Sequence, residues 1–228
     1  MLNYEVDARI LARFVPAGTE MDTWEGRTFV SIIGFLFLDT RLRGLAVPFH
    51  RSFEEVNLRF YVRRRADEGW RRAVVFIREL VPRALIAWTA RVLYNENYTA
   101  VRMGHRLQDA SETDRAPTVT YWWGRGDARG ELNVRATGGP APLVEGSREE
   151  FIAEHYWGYA RQRDGGTLEY RVEHPRWKVW AAADATLRCD VRTLYGPSFV
   201  EALSGPPASA FVAEGSAVTV YAGTRLKD

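Results

Sequence analysis

The sequence predicts an α+β fold, mainly antiparallel, with its sheet curved around an interior. Three observations predict it. Many segments alternate apolar and polar residues at a period of two, the pattern of half-buried strands. Turn residues fall between consecutive alternating segments, as at Asp67–Gly69, in "RGDARG" and at Asp164-Gly165-Gly166, so neighbouring strands join as hairpins. Strand–helix–strand alternation is rare, which argues against a parallel doubly wound sheet. The expectation is about ten strands and two or three helices, in a single domain over residues 1–228.

Each element has its own warrant. Phe29–Leu38, "FVSIIGFLFL", is apolar at both alternating sets and reads as a strand buried on both faces. Phe53–Arg64, "FEEVNLRFYVRR", puts Val56, Leu58, Phe60 and Val62 on one side, and Glu55, Asn57, Arg59, Tyr61 and Arg63 on the other. Arg71–Val81 is its hairpin partner. Pro82, tolerated in a first helical turn, opens a helix over "PRALIAWTARVLYN" that Asn95 and Asn97 end. "YTAVRMGHRL" resumes as strand, and "TVTYWWG" and "GELNVRAT" follow as a hairpin. Ser147 and Glu150 form a capping box ahead of a helix running to about Trp157. "RQRDGGTLEYRVEH" is a hairpin and "KVWAAADATLRCDV" a strand. "SGPPASA" is a loop between a short helix, "PSFVEAL", and a last strand, "SAVTVYAG".

Composition excludes several function classes. The 228 residues are 46% hydrophobic and 26% charged, enough apolar content for a real core. The net charge is +2, and the basic residues are spread along the chain, which argues against a dedicated nucleic-acid protein. The cluster Arg63, Arg64, Arg65, Arg71 and Arg72 reads as a solvated hairpin end. The lone Cys189 allows no internal disulfide, which fits a reducing compartment. "MLNYEVDARI" carries acids and has no apolar stretch of the secretory kind. The longest apolar run falls short of the roughly 20 residues of a membrane-spanning helix. A cytoplasmic protein with no membrane and no nucleic-acid partner is expected. Eight tryptophans leave room for a homo-oligomer interface.

Candidate chemistry begins on the Phe53–Arg64 strand. Its second face, Glu55, Asn57, Arg59 and Tyr61, is either a solvated face, the default on an antiparallel sheet, or a cavity wall. On a cavity wall Arg59 would hold a carboxylate and Glu55 would accept a proton. In the next strand Ala73, Val75, Ile77 and Val81 share one alternating set with Glu79, so Glu79 is the misfit: ion-paired, or raised in pKa. His155 sits near a helix C-terminus, where an imidazolium is mildly favoured, beside aromatic residues. His50, His105, His155 and His174 lie far apart, and no metal motif, phosphate loop or nucleophile elbow appears. No metal and no cofactor are expected. Of the basic residues only Lys178 and Lys227 are lysines, and Lys178 alone is placed for covalent amine chemistry.

The stretches "FVSIIGFLFLDTRLRGLAVPFHRSFEEVNLRFYVRR", "VVFIRELVPR", "ARVLYNENY", "FIAEHYWGY" and "VEHPRW" resemble, in order, the YqjF-like family of uncharacterised bacterial proteins, from about Trp24 to Trp177. That family is placed in the acetoacetate-decarboxylase-like superfamily. The resemblance implies a mainly antiparallel sheet curved into a cone or partial barrel that encloses a small-molecule cavity, with the Glu55 row turned inward. The superfamily's decarboxylases form a Schiff base on a lysine that follows an arginine-bearing helix. The similar place here reads Ala90-Arg91 and then "ENYTA", with Tyr98 near the position of the lysine. A phenol makes no imine, so that mechanism does not carry over. What remains is a small-molecule cavity with Glu55, Tyr98 and Glu79 as catalytic groups. Asn57, Arg59, Tyr61, Arg91 and His155 would hold the ligand. The expected activity is that of a lysine-independent lyase, hydratase or isomerase on a carbonyl or carboxylate compound; a binder or sensor without turnover, or a structural β-rich domain, are the alternatives.

Overall fold

The computed structural model describes residues 1–42, 45–46, 52–82, 98–108, 116–124 and 129–226. The helix expected after Pro82, and Arg91 with it, lie outside the described residues. Strands are β1 (Leu2–Glu5), β2 (Glu20–Met21), β3 (Phe29–Phe37), β4 (Arg41–Leu42), β5 (Leu45–Ala46), β6 (Phe53–Ala66) and β7 (Gly69–Val81). The second half adds β8 (Tyr98–Ala100), β9 (Met103–Gln108), β10 (Thr118–Trp123), β11 (Gly130–Pro142), β12 (Trp157–Arg161), β13 (Thr167–Glu173), β14 (Lys178–Arg188), β15 (Ser209–Ala213), β16 (Thr219–Val220) and β17 (Thr224–Arg225). Short helices α1 (Ala8–Leu11), α2 (Arg148–Ala153), α3 (Val191–Tyr195) and α4 (Val200–Ser204) connect them. Among the described residues no helix is long and apolar enough to cross a membrane.

One sheet carries almost everything. Its order is β16-β13-β12-β7-β6-β3-β1-β15-β14-β11-β10-β9, with β2, β8 and β17 pairing alongside. All its pairs are antiparallel except β7 with β8 and β7 with β12. The long β6–β7 hairpin turns at Asp67 and Glu68, and Gly69 takes the positive φ that closes it. The expected strand "YTAVRMGHRL" is two: β8 adds to β7, while β9 crosses to pair with β10.

The sheet curls, and one side-chain hydrogen bond shows how far. Seven strand spacings separate β6 from β9 along the sheet, about 34 Å if it were flat. Yet His105 Nδ1 on β9 lies 2.8 Å from Glu54 Oε1 on β6. Among the described residues the ends remain unpaired, so the sheet is an open, partial barrel. It curls toward the face bearing Val56, Leu58, Phe60 and Val62, which pack with Tyr121, Trp123, Leu132 and Val134 into the larger core. Phe199 and Leu203, from the segment around α4, pack into the same core.

The other face of β6 is buried too, by a second layer. Phe29, Ile33, Tyr61 and Val74 meet Phe151 and Ile152 of α2, with Trp177, Leu143 and Phe211 alongside. This corrects one expectation. The curl encloses the Val56 row, whose apolar side chains gain most from leaving water. The Glu55 row lies on the opposite face, sheltered by α2 and its neighbours.

One helix expectation and one strand expectation also change. Ser147 caps α2 as expected, accepting from the Glu150 amide, but the helix ends at Ala153. Trp157 and Gly158 are taken into the sheet beside Ala73 and Val74 of β7, and sheet pairing wins over helix continuation. The strands β1 and β15, which pair at the centre of the sheet, were not expected at all.

Candidate functional site

The polar face of β6 does not look at water. Glu55 is 4% exposed, Asn57 0%, Arg59 8% and Tyr61 1%. Glu79 joins the same layer, because its Cα pairs with Asn57 on one side and Tyr98 on the other. It is not the parity misfit the sequence suggests. A bulge in β7 shifts the register between Leu58 and Arg59, so Ile77 packs into the larger core while Phe76, Val74 and Glu79 lie on the Asn57 side.

Hydrogen bonds order the layer. Asn57 Nδ2 donates to Glu55 Oε1 at 2.8 Å, and the Tyr98 hydroxyl donates to Glu55 Oε2 at 3.3 Å. Glu55 is pushed up to about 7. Burial is the main cause, and the bonds from Asn57 and Tyr98 and the charge of Arg59 only partly offset it. A carboxyl there divides between its two forms near neutral pH, the condition for taking up and returning a proton.

Arg59 reaches the carbonyl of Ile152 through Nη2 at 3.0 Å, and Arg72 reaches the carbonyl of Phe151 at 3.3 Å. Those carbonyls belong to the last turn of α2, which has no intrahelical donors left to offer them. Two arginines of the sheet thus cap the helix and fix it over the layer. Arg72 is held by Asp22 at 2.7 Å. No carboxylate lies within ion-pair distance of Arg59 among the described residues, though its charge acts on the nearby Glu55.

The chain leaving α2 brings in His155, which is 5% exposed and stacks on Tyr61 with ring centroids 4.7 Å apart. Its pKa lies well below the usual imidazole range, through burial first and then the charges of Arg72 and Arg59. The imidazole is therefore neutral, not the helix-end cation the sequence suggests. The Ile152 carbonyl lies close enough to offset this slightly, but it accepts from Arg59, and among the described residues neither ring nitrogen has a partner of good hydrogen-bond geometry.

Behind Tyr61 runs a chain the sequence reading missed. Ser31 Oγ donates to Asn3 Oδ1 at 2.7 Å, and Asn3 Nδ2 donates to Ser209 Oγ at 3.0 Å. Ser31 has spent its hydrogen on Asn3, so in the 2.5 Å contact with Tyr61 the phenol must be the donor. Tyr61 is a fixed wall of the site, not an acid. Its signal in the sequence is Ser31 itself, a hydroxyl inside the apolar run "FVSIIG".

Other candidates fall away from this layer. Lys178 is exposed at the start of β14. In the expected basic cluster, Arg63 pairs with Glu20, Arg64 and Arg71 share the buried Glu169, and Arg72 takes Asp22. A surface depression of 370 Å³ is lined by Asp7, Arg9, Ile10, Arg13 and Ser198, and shares no residue with the polar layer.

An open, curled, mainly antiparallel sheet with few helices is the acetoacetate-decarboxylase-like fold. The structure of the enduracididine biosynthesis enzyme MppR complexed with pyruvate matches it at a TM-score of 0.66 and 13% identity, over 100% of this chain and 87% of that one. An acetoacetate decarboxylase-like enzyme from Sphingomonas wittichii RW1 matches at 0.60 and 12% identity, over 99% and 89%. Within that fold class, the chain belongs to the DUF2071 family of uncharacterized conserved proteins, whose model matches residues 1–217. The uncharacterized protein YqjF of Bacillus subtilis is 25% identical over 193 residues, 84% of this chain and 75% of that protein.

Proposed function

We propose that the polar layer binds a small carboxylate or carbonyl compound, and that Glu55 moves a proton on it as a lysine-independent lyase, hydratase or isomerase. The observation that carries this reading is Glu55 itself: buried, held by Asn57 and Tyr98, and poised at about 7. Arg59 holds the anionic end of the ligand. Glu55 takes a proton from the carbon beside the carbonyl or carboxylate. The Tyr98 hydroxyl turns from Glu55 to the oxygen on which negative charge grows. Glu79, beside Tyr98 in the register, completes the layer, and Arg91 is assigned with Arg59 to the anion. No lysine takes part. The pyruvate in the MppR complex suggests the first probe.

The test is hydrogen exchange. The protein is incubated with pyruvate in heavy water near pH 7, and loss of the methyl proton signal is followed by NMR. Exchange above the protein-free rate, abolished in a folded Glu55→Gln variant, is expected. Thermal stabilisation by pyruvate without exchange, equal in the variant, would mean a binder without turnover. Neither exchange nor stabilisation by pyruvate or acetoacetate would remove the small-acid reading.

A further inference from the structure

Among the described residues, several polar atoms of the layer end without a protein partner. They are Asn57 Oδ1, Arg59 Nε and both ring nitrogens of His155, on residues 0%, 8% and 5% exposed. Folded proteins leave few such atoms unpaired, because each forfeits its hydrogen bonds to water without replacement. Their chemistry can be sorted. Asn57 is oriented by its bond to Glu55: the amide nitrogen donates there, which leaves Oδ1 as a pure acceptor. Arg59 Nε–H is a donor. The neutral His155 offers one donor and one acceptor, and neither ring nitrogen has a partner of good geometry among the described residues. Tyr61 has given its hydrogen to Ser31 and can likewise only accept. Among the described residues the layer therefore holds two unpartnered donors, Arg59 Nε–H and the His155 N–H, and two unpartnered acceptors, Asn57 Oδ1 and the other His155 ring nitrogen.

We propose that the occupant brings its own hydrogen-bond donor beside its anionic group, and is a small hydroxy acid and not the corresponding oxo acid. Its carboxylate takes Arg59 Nε–H, and its hydroxyl donates between Asn57 Oδ1 and His155. This rests on the small-acid reading of the same layer and narrows it. An oxo acid of equal size carries acceptors only. It satisfies Arg59 but leaves Asn57 Oδ1 and the imidazole lone pair stranded, and sites built to bind a hydroxyl discriminate strongly against ligands that lack it.

Calorimetric titration of the protein with matched pairs tests this: lactate against pyruvate, and 3-hydroxybutyrate against acetoacetate. The hydroxy member of at least one pair should bind about tenfold tighter or more. That ratio should fall toward one in His155→Phe, which keeps the ring stack on Tyr61, and in Asn57→Leu; if either variant fails to fold, the other carries the test. Oxo acids binding as well as or better than hydroxy acids would overturn the inference and leave the small-acid reading standing. A preference that survives both substitutions would overturn the assignment of the donor site to Asn57 and His155. Failure of all four probes to bind would instead remove the reading beneath it.

Discussion

Replacing Glu55 by Gln should change how stability depends on pH, by an amount the structure fixes. The pKa of Glu55 rises from 4.5 to about 7 on folding, chiefly through burial. Folding thus favours the protonated form. The stability this gives is fully present below about pH 4.5 and is lost as pH rises through about 7. A displacement of that size is worth roughly 3 kcal/mol in full, and about 2.5 kcal/mol of it falls between pH 5 and pH 8. Gln keeps the acceptor that Asn57 uses and does not titrate. The stability of Glu55→Gln relative to the parent should therefore improve by about 2.5 kcal/mol from pH 5 to pH 8, or roughly 5–10 °C in relative melting temperature. Urea unfolding of both proteins at matched pH values measures it, since all other titrating groups cancel in the difference. A stability difference that stays constant across that range would refute a buried, proton-retaining Glu55.

Other substitutions probe the frame around the site. A Cβ on Gly34 would run into the Tyr121 ring across the curl of the sheet, so Gly34→Ala should lose about 1–3 kcal/mol by thermal or urea unfolding; a neutral effect would mean that β3 and β10 do not meet. Glu169 is 8% exposed and takes Arg64, Arg71 and the Tyr159 hydroxyl, so Glu169→Ala should destabilise by about 3–5 kcal/mol, whereas the exposed Glu20→Ala should lie within about 1 kcal/mol of the parent. Ser31→Ala breaks the chain between Tyr61 and Asn3 and should lose about 1–3 kcal/mol, measured the same way.

The sequence made β6 legible because its period of two sorts the chain into an apolar and a polar row without tertiary information. It did not show which row the sheet would curl around. Curl direction depends on how β10, β11 and β14 return over the Val56 row, a long-range matter that local alternation does not encode. Alternation alone puts Glu79 on the wrong face because it assumes an unbroken register, and the bulge in β7 resets it. The end of α2 was overrun because "EHYWGY" suits either helix or strand locally, and only pairing with β7 decides. Likewise, the neutrality of His155 follows from its burial against Tyr61 and Phe151 under two arginines, and only Phe151 lies near it in sequence. β1 is only four residues long and β15 begins inside "SGPPASA", which reads locally as loop, so their central place in the sheet has no local signal.

The protonation of one carboxyl, Glu55, is the most direct test of the site. With glutamate carbonyl carbons labelled and Glu55 assigned through its Gln variant, carbon NMR across pH 4 to 9 should show the Glu55 resonance titrating near 7. A midpoint near 4.5, shared with the exposed glutamates, would contradict it.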